Sequence, residues 1–174
     1  MRVITQILLC SVIVTALGCS GISTSSTFDR KYSFKQLRVY EWLPVSKGED
    51  IRHIDVERVR RAVNKDLKFK GFRLGTGGAD FLVALGLGTQ HRSTVVGDNS
   101  GWDRFSGGTG PRSARVVNYE QGTLKIAFID RKTEKIIWQG EARAVLSKRP
   151  SARKVEARIT EAVGKMLRDF PPKQ

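Results

Sequence analysis

The 174-residue chain carries 31 Lys and Arg against 17 Asp and Glu, a formal net charge of +14 at pH 7. Its 40 % hydrophobic and 28 % charged composition fits one folded domain and excludes wholesale disorder. Two cysteines and two histidines exclude a disulfide-dense scaffold, a four-cysteine zinc site and a multi-histidine metal centre, so no metal or other cofactor is expected. The basic surplus, taken alone, points to anionic partners: nucleic acid, acidic lipid or another envelope polyanion.

Arg2 precedes an almost unbroken apolar run from Val3 to Leu17. About fifteen residues is short of a bilayer span and matches the apolar region of a secretory signal. Ala16-Leu17-Gly18-Cys19 follows and resembles a bacterial lipobox, in which cleavage before the cysteine frees its amine for acylation and its thiol for a thioether-linked lipid. Ala16 stands where that pattern more often has Leu. Residues 1–18 are therefore read as a signal peptide and Cys19 as the lipidated residue. Cys10 would be discarded with the signal, leaving Cys19 as the one cysteine of the mature chain. Residues 19–27, Ser- and Thr-rich after the cysteine, have the composition of a flexible tether. Ser20, where an Asp would resemble an inner-membrane retention signal, implies an outer-membrane location facing the periplasm.

From Phe28 the pattern is that of a single α+β domain over 28–172. Residues 34–42 are rich in β-formers and stop before Pro44. Over 52–69 the period changes: Val56, Val59, Val63 and Leu67 form one helical stripe, with Asp55 as a candidate N-cap and Gly71 past its end. Residues 81–87 alternate Phe81, Val83, Leu85 and Leu87, a strand with one buried face. Residues 86–111, with seven glycines and only Trp102 and Phe105 as large aromatics, read as a strand end and a long loop. Two long strands follow, 116–129 and 135–146, joined by a polar turn over 130–134. A last amphipathic helix starts near Ser151 and ends before Pro171-Pro172. The order β-α-β-β-β-α predicts a four-stranded antiparallel sheet with two helices on one face.

An ordered set of short pieces runs through this domain: Phe28-Asp29, Tyr40-Glu41-Trp42, Gly71-Phe72, Ala79-Asp80-Phe81-Leu82-Val83, Glu120-Gln121-Gly122-Thr123-Leu124 and Ile137-Trp138-Gln139-Gly140, closed by Arg158-Ile159 and Phe170-Pro171-Pro172. Together they resemble the bacterial lipoprotein family known as domain of unknown function 4136. The resemblance implies a lipid-anchored envelope protein with a small α+β fold and no established activity.

Enzyme signatures are lacking. His53 and His91 fall in no metal-ligand spacing, no Gly-x-Ser-x-Gly elbow occurs, and Gly75-Thr76-Gly77-Gly78 precedes a strand instead of opening a helix. Asp29, Asp80 and Asp130 are the carboxylates from which an exported hydrolase could build a site, the alternative to a non-enzymatic module. Asp80 is expected to close a turn through local backbone amides, and Trp42 and Trp138 to sit in the core. The basic charge concentrates in two helical windows: eight basic against three acidic side chains over 52–73, nine against three over 143–174. Arg58, Arg61, Lys65, Arg153 and Arg158 are the candidates for a cationic helix face meeting an anionic lipid or an envelope protein partner. Export argues against nucleic acid, for which no recognition motif occurs. The expected role is thus non-enzymatic, a binding or structural module held to the membrane through its N-terminal lipid.

Overall fold

A chain that alternates strand patterns with two amphipathic helices must lay those helices on a sheet, and the register shows how. The computed structural model describes residues 21–45, 53–97 and 114–173. The signal segment, Cys19 and residues 98–113, with Trp102 and Phe105, lie outside the described residues. The elements are β1 (Ile22–Phe28), a 3-10 turn (Phe34–Gln36), β2 (Val39–Trp42), α1 (His53–Phe69), β3 (Arg73–Leu74), β4 (Phe81–Gly97), β5 (Ala114–Asp130), β6 (Ile136–Val145) and α2 (Ala152–Met166).

The α+β class and the two helices stand as expected; the sheet does not. It has six strands in the order β1-β6-β5-β4-β2-β3, and it is mixed. β2 runs parallel to both β3 and β4, whereas the remaining pairs are antiparallel. The physical reason lies in α1. A helix between two strands carries the chain back to its starting end, so the next strand enters parallel. A four-stranded antiparallel sheet overlooked that return.

Residues 22–27, assigned to the tether, instead belong to β1, which pairs antiparallel with β6 from Ile22↔Ala144 to Phe28↔Trp138. Only Ile22 of this strand is buried, so backbone pairing and not side-chain burial holds it. The strand expected over 34–42 is divided, its first part a 3-10 turn that buries Phe34 and Leu37. The strand expected over 81–87 runs on as β4 to Gly97, so Gly88 and the residues after it, expected as a strand end leading into a loop, are strand.

Ile22, Ala144, Gly122 and Thr89 stand in one row across the sheet. β4 and β5 run on past that row, and among the described residues His91 to Gly97 pair only with Glu120 to Ala114. This two-stranded arm leaves the sheet at the end where β1 begins, and spans roughly 24 Å at about 3.4 Å per residue.

One apolar cluster unites both helices and the sheet. Val59, Val63 and Leu67 of α1 and Ala162, Val163 and Met166 of α2 pack over Phe81, Val83, Leu124, Ile126, Phe128 and Trp138. Phe128 and Trp138 stack with ring centroids 4.7 Å apart. Phe170, just beyond α2, meets Phe128 at 4.6 Å and Trp138 at 5.5 Å. Among the described residues the opposite face of the sheet carries no helix, and the small and polar side chains of Ser25, Thr27, Ala84, Gln139 and Glu141 line a shallow depression there.

Candidate functional site

The carboxylates proposed for an enzyme are engaged in structure. Asp29 is exposed and accepts from the Lys31 amide at 2.9 Å. Asp80 accepts from the amides of Arg38 and Val39 at 2.8 and 2.9 Å. Its partners are thus at the start of β2 and not in its own turn, a correction to the local reading. Asp130 is buried and accepts from the Tyr32 hydroxyl at 2.6 Å, the Thr133 amide at 2.7 Å, the Thr133 hydroxyl at 2.8 Å and the Lys132 amide at 3.1 Å. Burial pushes its carboxyl upward, but those hydrogen bonds outweigh it and hold the pKa below the ordinary value. Tyr32 is driven the other way, first by burial, then by the bond to Asp130 and the nearby charges of Asp130 and Asp80. The structure therefore brings Asp80, Asp130 and Tyr32 together, as a clasp joining the β5–β6 turn to the segment before β2.

The tryptophans divide. Trp138 is 2 % exposed and belongs to the core. Trp42 is half-buried, donates from Nε1 to Asn64 Oδ1 at 2.9 Å beside the Tyr40 hydroxyl bond to the same oxygen, and has Arg60 5.3 Å above its ring. Burial pushes the Tyr40 hydroxyl up to about 12. His91 lies exposed on the arm, 3.8 Å from Glu120, and His53 opens α1. Among the described residues no group of three His, Cys, Asp or Glu side chains could hold a metal ion.

The five expected cations do not form one free surface. Arg58 bonds Asp55 at 2.8 Å with only 10 % of its side chain exposed. Arg61 bridges to Glu156 at 3.6 Å, tying α1 to α2. Arg158 is half-buried on α2, leaving Lys65 and Arg153 exposed. Acids at Asp55 and Glu156 interrupt the stripe that a count of basic residues suggested. The denser cluster is the turn into α2, where Lys148, Arg149, Arg153 and Lys154 are all exposed and no acid intervenes.

That turn borders a groove of about 400 Å³. Its floor is apolar, with Ile22, Val59, Leu87, Leu124, Ala142 and Ile159, and Arg143, Lys148 and Arg158 stand among its polar lining with Asp55 and Glu120. Arg143 is itself paired with Glu141 on β6. Both helices begin at this end, as does β1. The groove, the arm, the cationic turn and the first residue of β1 therefore share one end of the domain. Composition located the cations, but only the sheet register could place them beside β1.

A family model described as Domain of unknown function (DUF4136) matches residues 24–172, from the third residue of β1 to the segment after α2. The chain belongs to the DUF4136 family. No curated protein sequence matches it. Among solved structures, this DUF4136 chain is similar to a PDZ domain protein from Parabacteroides distasonis, with a TM-score of 0.56 and 13 % identity over 89 % of this chain and 36 % of that one. The DUF4136 chain thus spans little more than a third of that protein's length. It is also similar to a PelC dodecamer from Paraburkholderia phytofirmans, with a TM-score of 0.53 and 12 % identity over 88 % of this chain and 99 % of that one. At such identities the likeness is one of fold. No described helix of the DUF4136 chain is long and apolar enough to cross a membrane.

Proposed function

We propose that this protein is a lipid-anchored, non-enzymatic module of the bacterial cell envelope, attached through Cys19 to the outer membrane and facing the periplasm. The observation that carries the reading is the spacing between Cys19 and the fold. β1 begins at Ile22, three residues on, so a lipid on Cys19 would hold this end of the sheet within about 11 Å of the attachment point. The groove and the cationic turn then face the anchor, as a membrane-proximal binding surface would.

A binding or assembly role is further supported by β1, whose outer edge has no strand partner among the described residues and which bears no charged side chain. PelC, whose fold is similar, is a dodecamer. The hydrolase alternative draws less support, because the oxygens of Asp80 and Asp130 serve the β2 start and the β5–β6 turn.

Metabolic labelling with a clickable palmitate analogue tests the anchor. The wild-type chain should take the label and float with membranes, and Cys19→Ala should lose both. Label retained by Cys19→Ala would overturn the assignment.

A further inference from the structure

We infer that the turn from β6 into α2, with the first residues of α2, is a docking surface for the headgroups of an anionic phospholipid bilayer. The inference rests on the anchor reading for its geometry and adds the lipid chemistry and the residues that recognise it.

Four cations, Lys148, Arg149, Arg153 and Lys154, are exposed within seven residues without an intervening acid. Of the neighbouring acids, Asp55 is paired with Arg58 and Glu156 with Arg61, and Glu120, across the groove, has the His91 ring 3.8 Å away. Immediately before the cations, Val145 is 49 % and Leu146 39 % exposed, large apolar side chains that interfacial contact would cover. Ser151 caps α2 by accepting from the Lys154 amide at 3.3 Å, which fixes the helix start inside the cluster. The positive ends of the α1 and α2 dipoles lie on the same side and add to the field.

Position selects the occupant. Ile22 pairs with Ala144, one residue before Val145, so the chain leading to Cys19 departs beside the cluster. A bilayer reached through that leash is the polyanion within range, and cations near an anionic leaflet add attraction that salt weakens.

The lipidated mature chain, incorporated through its anchor into phosphatidylcholine vesicles with or without phosphatidylglycerol, tests this surface. An environment-sensitive fluorophore is attached at Ser147→Cys or, at the opposite end of the sheet, at Lys132→Cys. The label at 147 should shift to an apolar environment only in the anionic vesicles, and the label at 132 should not respond. The combined change Lys148→Gln, Arg149→Gln, Arg153→Gln and Lys154→Gln should abolish the shift while anchoring and the far-UV spectrum persist. In parallel, an unlipidated Cys19→Ser chain is titrated with the same vesicles. Its binding to phosphatidylglycerol should weaken on the order of a hundredfold or more in the fourfold variant. A label at 147 that stays in water on anionic vesicles, or binding indifferent to the four changes, overturns the inference. Because the titration needs no lipid on Cys19, failure of the anchor and failure of the surface give different results.

Discussion

Asp66 on α1 has a carboxylate oxygen, Oδ2, buried without a hydrogen-bond partner. Burial raises its pKa, and the charge of Lys70 only partly offsets that. A carboxyl whose pKa is raised in the folded state binds its proton more tightly there than in the unfolded chain. Its favourable contribution is complete below the unfolded pKa and is lost as pH rises through the folded one. Asp66→Asn should therefore raise the melting temperature at pH 7, with the gap closing towards pH 4; a variant that melts lower at pH 7 would contradict this. Asp130 shows the opposite balance, since four donors outweigh the same desolvation. Sequence could place Asp130 in a turn, because its Thr133 partner is three residues away. It could not anticipate the Asp80 contacts, because the amides it serves are 42 and 41 residues distant.

Two glycines on neighbouring strands separate rigid from yielding surroundings. A Cβ on Gly140 would lie 2.6 Å from the Trp138 ring, which is stacked on Phe128 and packed against Phe170. A Cβ on Gly122 would meet the tip of Leu146 at 2.8 Å, a partly exposed side chain free to turn away. Gly140→Ala should cost about 1–3 kcal/mol in urea unfolding and Gly122→Ala less than about 1 kcal/mol; equal costs would show that the aromatic stack yields. The same contrast explains which elements were legible in the sequence. α1, α2 and the first half of β4 bury one face each, and burial writes a period into the sequence. β1 buries Ile22 alone, and β3 has two exposed residues, so neither leaves a period to read. The far half of β4 pairs with β5 and its residues 88–94 are exposed, so no buried face writes a period there.

At the scale of the molecule the sheet divides into a covered half and an arm. Strands covered by helices open only with the core, whereas an isolated two-stranded ribbon is marginally stable. Hydrogen exchange should find the amides of residues 91–97 and 114–120 exchanging far faster than those of 81–87 and 124–129. Similar protection in both halves would mean that something else covers the arm. The convergence of the arm, the groove, the cationic turn and the β1 start depends on a register that links residues as distant as Ile22 and Ala144. No local pattern encodes that meeting. The charge excess is visible in the composition, whereas its distribution over the surface follows from the register and not from a count of basic residues.

The arm is longer than the leash. It reaches roughly 27 Å beyond the row where β1 starts, while three extended residues from Ile22 to Cys19 cover at most about 11 Å. A domain tied this closely cannot stand upright with its strands along the membrane normal unless the arm, with His91, Arg92 and Glu120, enters the bilayer. With the anchor and the cationic turn acting as proposed, the protein reclines on its helical side. The helix-free face of the sheet then becomes its roof, turned towards the periplasm and whatever approaches from it.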